Sequence, residues 1–137
     1  DGSVVLPAFR VWQQGPPDHV GWRWSDTLQA HGLIGGTAGQ RVFVTNGSEN
    51  RTYSGQVGPG GTLTDLKVFA ERGGESVAVD SQGRVFVANG QIFQYAPDGK
   101  LVGRIDVPER PLQLIFGGDG GRTLFVLTHH SLYAVTP

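Results

Sequence analysis

The run Arg-Val-Phe-Val, followed by one residue and Asn-Gly, occurs twice in this chain, at Arg41–Gly47 and Arg84–Gly90. The surroundings repeat with it. HGLIGGTAGQRVFVTNG at His31–Gly47 aligns with ESVAVDSQGRVFVANG at Glu75–Gly90, and LQLIFGGDGGRTLFVLTHH at Leu112–His130 is a third copy. The middle copy shows the shape of the unit. Glu75–Asp80, Arg84–Asn89, Gln91–Ala96 and Leu101–Val107 are short apolar runs separated by Ser81-Gln82-Gly83, Asn89-Gly90 and Pro97-Asp98-Gly99. Asn-Gly tolerates positive φ at both positions, and Pro presets φ before a permissive Gly, so each break is a tight turn. Four runs and three tight turns make an antiparallel meander. One such sheet is marginal alone and must bury its faces against neighbours. The copies begin at 31, 75 and 112; four strands in a period of roughly 40 residues is the pattern of a propeller blade.

The expected fold is therefore all-β: three four-stranded antiparallel blades, half of a six-bladed β-propeller completed by another chain or copy. The blades span 31–70, 75–107 and 112–137. Residues 1–30 hold an outer strand, Ser3–Leu6, and an irregular segment in which Ser25–Leu28 could cap a helical turn and Trp22 and Trp24 pack as core or cover. The third blade has three strands of its own, Leu112–Gly117, Thr123–Thr128 and Ser131–Thr136, and Ser3–Leu6 would close it. RVFV, RVFV and TLFVL are apolar on both faces, as stacked blades require. Three blades do not close a ring, since propellers typically use four to eight. The expected partner is a complementary propeller half or a second copy. The complementary half is preferred, because Asp1-Gly2 looks like the tail of a Pro-Asp-Gly turn from an earlier blade.

Composition excludes some classes. The net charge is −1 with 17% charged residues, so nothing favours a nucleic-acid partner. No apolar run approaches the ~18 residues of a membrane span, so no membrane partner is expected. With no cysteine there are no disulfides or thiolate metal sites. No signal peptide is visible, and the missing initial methionine suggests a processed chain or a fragment. The compartment is left open, with a periplasmic or secreted place favoured.

In a meander, alternate connections lie at the same end. One end then gathers the chemistry-bearing side chains, including His31, Asn46, Arg72, Glu75, Asn89, Arg110, His129 and His130, while the other holds turn residues such as GGTAGQ, DSQG and PDG. The inner strands line the central channel, and their first residues, His31, Glu75 and Leu112, followed by Gly32, Ser76 and Gln113, sit at its mouth. A His and a carboxylate from adjacent blades could bind Zn²⁺, Ca²⁺ or a water nucleophile, or could be a hydrogen-bonded pair that fixes blade packing. His130 could add a ligand or proton shuttle, or belong to a surface turn. Arg72 and Arg110 could hold an anionic substrate or be solvated loop charges. Asn46-Gly47-Ser48 and Asn50-Arg51-Thr52 fit the glycosylation acceptor pattern, though a blade turn explains them better.

The segment from Glu75 to Val135 resembles the C-terminal blades of the gluconolactonase / senescence marker protein / luciferin-regenerating enzyme family, and the likeness extends over about 30–137. It rests on Gly74-Glu75-Ser76-Val77-Ala78-Val79-Asp80, Phe116-Gly117-Gly118 and Leu132-Tyr133. The resemblance implies a six-bladed propeller and, in many members, a metal-dependent lactonase. The family's metal-binding, general-base Asp falls on Glu75, one methylene longer, and its metal-binding Asn falls on His31. A further glutamate ligand and a substrate-contacting Asn belong to earlier blades. Two functions are expected to compete. The first is a lactonase-like, metal-dependent hydrolase of a sugar lactone or related ester. In it Glu75 is catalytic, His31 and Glu75 hold a divalent metal (Ca or Zn), and Gln113, His130, Arg72 and Arg110 bind the small-molecule substrate. The alternative is a non-catalytic propeller module for ligand binding or scaffolding in a larger protein.

Overall fold

The computed structural model describes residues 12–14, 22–23, 30–35 and 40–137. Strands β1 (Trp12–Gln14) and β2 (Trp22–Arg23) form a small antiparallel pair. The first blade has β3 (Ala30–Ile34), β4 (Arg41–Asn46), β5 (Arg51–Val57) and β6 (Leu63–Ala70), side by side in chain order. The second has β7 (Ser76–Val79), β8 (Val85–Asn89), β9 (Gln91–Tyr95) and β10 (Leu101–Ile105), again in chain order. The third has β11 (Gln113–Gly117), β12 (Thr123–Leu127) and β13 (Leu132–Val135). Every pairing is antiparallel. Among the described residues the only helical pieces are two single turns at Pro59–Gly61 and Asp119–Gly121. No helix there is long and apolar enough to cross a membrane. The expected strand Ser3–Leu6 and the expected helical turn at Ser25–Leu28 lie outside the described residues.

The middle blade shows why its sequence is apolar on both faces. Successive strand side chains point to opposite sides. Val85 and Val87 of β8 join Phe43, Ala70, Val77 and Tyr95 in a cluster against the first blade. Phe86 and Ala88 join Ala78, Ile92, Leu114, Leu124 and Val126 against the third. All four β8 residues are fully buried. At about 25 cal/mol per Å², these two interfaces supply the apolar burial that no single sheet has.

The inner strands approach closely. A Cβ on Gly32 of β3 would stand 2.8 Å from the Ser76 Cα and 2.7 Å from the Thr45 side chain, so only glycine allows β3 to lie against β7 there. The two Asn-Gly turns differ despite their shared dipeptide. The second reverses at Gly90, φ 70°, with Asn89 opposite Gln91. The first pairs Asn46 with Arg51 across a longer loop. The Asn46 side-chain oxygen accepts the Ser48 N–H at 3.0 Å and the Glu49 N–H at 3.3 Å, and Asn50 takes φ 55°.

Candidate functional site

The channel-facing strands β3, β7 and β11 border a cleft of about 400 Å³, lined by Gly32, Leu33, Glu75, Ser76, Gln113 and Leu114 among others. Among the described residues Glu75 is the only carboxylate in that lining. Its position is set by the connection that carries the chain from β6 to β7. The Gly74 N–H donates to the buried Thr45 hydroxyl at 2.6 Å, and the Thr52 hydroxyl donates to the Arg72 carbonyl at 2.7 Å. The Glu75 N–H donates to the Ala88 carbonyl at 2.9 Å. Asn89 donates its amide to Asn50 at 3.1 Å and to the Gly73 carbonyl. Gly74 sits so tightly on the end of β8 that a Cβ would fall 1.8 Å from the Ala88 oxygen. One residue beyond Glu75, Ser76 accepts the Leu114 N–H at 3.0 Å, tying the middle inner strand to the third blade's. The backbone at Glu75 is thus held from both neighbouring blades.

The structure brings some of the expected site residues together and separates others. Glu75 is ion-paired with Arg110 from the β10–β11 connection; the two side chains are 28% and 62% exposed. Gln113, the first residue of β11, is exposed and shares the cleft lining with Glu75. His31 lies in β3 next to Gly32; its side chain is outside the described part. Arg72 is placed elsewhere. Its guanidinium stacks on Phe93 at 3.7 Å from the ring centre, and its Nε is buried with no hydrogen-bond partner. Phe93 faces Val87, which faces Val77, so Arg72 lies over the third strand of the second blade, about 10 Å out from β7 at ~4.8 Å per strand. His130, 85% exposed, sits in the β12–β13 turn with Nδ1 3.8 Å from Glu109. That carboxylate accepts from the hydroxyls of Thr128 (2.6 Å) and Ser131 (2.9 Å) and from the His130 N–H (3.3 Å). These bonds, the Thr128 hydroxyl first, hold Glu109 below the ordinary glutamate range. The β10–β11 connection therefore grips two places, the β12–β13 turn through Glu109 and Glu75 through Arg110.

The opposite end carries more than turn residues. The Arg41 guanidinium lies over the rings of Phe43 and Phe69, at 4.9 Å and 5.3 Å. It donates to the Pro97 carbonyl at 2.8 Å, joining the first blade to the second, and to the Ser54 hydroxyl at 2.9 Å. Arg84 repeats the arrangement over Phe86 at 5.8 Å and pairs with Asp80 at 2.6 Å. The signal was present in both copies as Arg-x-Phe, two residues apart on one face of a strand.

Three stacked antiparallel sheets with their inner strands along a common cleft are the blades of a β-propeller. Solved propellers share this arrangement. A gluconolactonase from Xanthomonas campestris is 22% identical with a TM-score of 0.71, covering 87% of this chain and 41% of its own. Regucalcin, a calcium-binding protein from Agrobacterium tumefaciens, is 18% identical with a TM-score of 0.59, covering 74% and 39%. The virginiamycin B lyase of Staphylococcus aureus is 12% identical with a TM-score of 0.52, covering 85% and 44%. At such identities the likeness is one of fold, and the three names show how little a fold decides about chemistry. The chain spans about two fifths of the length of these structures. No curated protein sequence matches it. The chain belongs to the SMP-30/gluconolactonase/LRE-like family, whose model matches residues 24–130.

A divalent ion needs several converging oxygen or nitrogen donors. Among the described residues no group of three or more His, Asp or Glu side chains stands together. The one carboxylate among the described lining residues already has a guanidinium on it, and the Ser76 oxygen is engaged by the Leu114 N–H. These donors do not by themselves fit a Ca²⁺ or Zn²⁺ ion.

Proposed function

We propose that the protein is a lactonase-like hydrolase that opens a sugar lactone or related ester in the cleft at the channel mouth. The observation that carries this reading is Glu75: the one carboxylate among the cleft's described lining residues, on a backbone fixed from two blades, in a chain of the gluconolactonase-like family. Glu75 takes a proton from water as general base. The water oxygen adds to the ring carbonyl carbon, the acyl C–O bond breaks, and the ring oxygen leaves as the hydroxyl of a hydroxy acid, taking the proton that Glu75 accepted from water. Arg110 orients the carboxylate, and the Gln113 amide is within the lining to donate to a sugar hydroxyl or carbonyl. His130 lies on the β12–β13 turn beside Glu109 and outside the cleft lining, and Arg72 supports the blade through Phe93. No step is routed through a metal.

The test is hydrolysis of aldonolactones by the intact protein, followed as acid release. Glu75→Gln should lower kcat by at least 10²-fold, the ordinary worth of a general base. A wild-type rate no faster than spontaneous opening would sink the reading. It would favour a non-catalytic ligand-binding propeller, for which the Glu75–Arg110 pair is the supporting observation.

The same reading needs a closed channel, so we propose that complementary propeller blades cover the outer face of the third blade. Ile115, Leu127 and Leu132 are exposed there. Register sets Ile115 beside Phe125, and Leu127 beside Gln113 and Leu132, so the apolar side chains form one patch. Patches of this kind mark interfaces, and another blade is what an apolar propeller sheet packs against.

A further inference from the structure

We propose that Arg110 is the cleft's built-in cation: its guanidinium takes the place beside Glu75 that a divalent ion would have to take. The inference rests on Glu75 being the working carboxylate of the cleft, as proposed above. It departs from the metal dependence that family resemblance implies. Arg110 leaves the β10–β11 connection and its Nη2 bonds the Glu75 Oε1. That connection is itself anchored, because Glu109, one residue earlier, holds the β12–β13 turn with three hydrogen bonds. The guanidinium is thus delivered to Glu75 by a fixed loop.

Charge decides the consequence. An ion bound by the Glu75 carboxylate would share it with the guanidinium. Repulsion between a double and a single positive charge about 5 Å apart is worth roughly tenfold or more in affinity, even at the dielectric constant of water. The ion would also lose the carboxylate oxygen that Arg110 now occupies. A lysine at 110 would keep the charge, while a glutamine would remove it at similar length. The pair has a purpose of its own. A guanidinium holds a carboxylate in one orientation through planar, directional donors, which is what a general base without a metal needs.

The experiment is a titration of the intact, chelator-treated protein with Ca²⁺ and with Zn²⁺ by calorimetry, with melting curves to confirm folding. Wild type should bind weakly or not at all at millimolar ion. Arg110→Gln should bind at least tenfold more tightly. Arg110→Lys should stay close to wild type, and the double variant Arg110→Gln, Glu75→Gln should lose the gain. Tight stoichiometric binding by wild type, or Arg110→Gln binding within threefold of wild type, would overturn the proposal. Binding is read without turnover, so the two readings fail separately. A protein inert toward lactones that still gains affinity in Arg110→Gln keeps this inference and loses the hydrolase.

Discussion

Replacing Thr45 with valine changes one hydroxyl to a methyl of nearly the same size, yet it should loosen the connection that carries Glu75. Thr45 is fully buried in β4. Its oxygen accepts the Gly74 N–H at 2.6 Å and lies 3.3 Å from the Thr52 hydroxyl, which itself reaches the Arg72 carbonyl. Valine fills the space and opens no cavity, but leaves the buried Gly74 N–H without its acceptor. An orphaned buried donor costs about 1–3 kcal/mol, a large part of a domain's roughly 5–15 kcal/mol. Gly74 has little room to shift toward another acceptor, since it packs against the Ala88 carbonyl too closely to admit even a Cβ. The control is Thr45→Ser, which keeps the oxygen and deletes a methyl, at about 0.5–1.5 kcal/mol by analogy with other single-methyl deletions. Urea unfolding of the intact protein should rank wild type above Thr45→Ser above Thr45→Val, and amide exchange at Gly74 should speed up only in the valine variant. If valine costs less than serine, or Gly74 exchange is unchanged, the hydroxyl does not carry this connection.

Three further outcomes are expected. Arg41→Ala should lower stability by about 1–3 kcal/mol, since it removes the guanidinium from Phe43, Phe69 and the Pro97 carbonyl; Arg41→Lys should recover only part, and an unchanged melting temperature in Arg41→Ala would refute the inter-blade role. The Glu109 carboxyl is lowered on folding from its ordinary 4.5 by the Thr128, Ser131 and His130 donors. Its stabilisation is therefore full above that value and is lost as pH falls through the lower folded value; Glu109→Gln should flatten this acid-side slope, and an identical slope in the variant would refute it. The 137-residue chain alone should self-associate through the outer face of its third blade, and Leu127→Asp with Leu132→Asp should shift it toward single chains in sedimentation; a wild-type chain that runs as a compact monomer counts against the covered-face proposal.

Strand positions were legible because turn chemistry and apolar runs are local. Val85–Asn89 and Gln91–Tyr95 fall within one residue of the runs flanking Asn89-Gly90. The first copy carries the same Asn-Gly dipeptide, but there Ser48 and Glu49 donate back to the Asn46 side chain, and β5 begins only at Arg51. The placement of Glu75, Ser76 and Gln113 along the cleft followed from the meander alone. What stayed hidden was pairing at a distance. Nothing local says that Arg110, 35 residues on, closes on Glu75, or that Arg72, three residues before Glu75, turns outward onto Phe93.

Those two arginines show how the chain divides its positive charge. Both flank Glu75 in space or sequence, and both were candidates for holding an anionic substrate. Stacked on an aromatic face with a buried Nε, Arg72 is committed to the packing between blades. Arg110 is more than half exposed, and its ion pair is of the kind worth little to stability. On the proposed function, a pair that contributes little to folding, on a loop bonded through Glu109, would act on the carboxylate by orienting its oxygens and setting the local charge. The cleft's specificity should therefore depend on residue 110 more than on residue 72. Changes at 72 should appear in melting curves; if the proposed function holds, changes at 110 should appear in lactone turnover and ion binding.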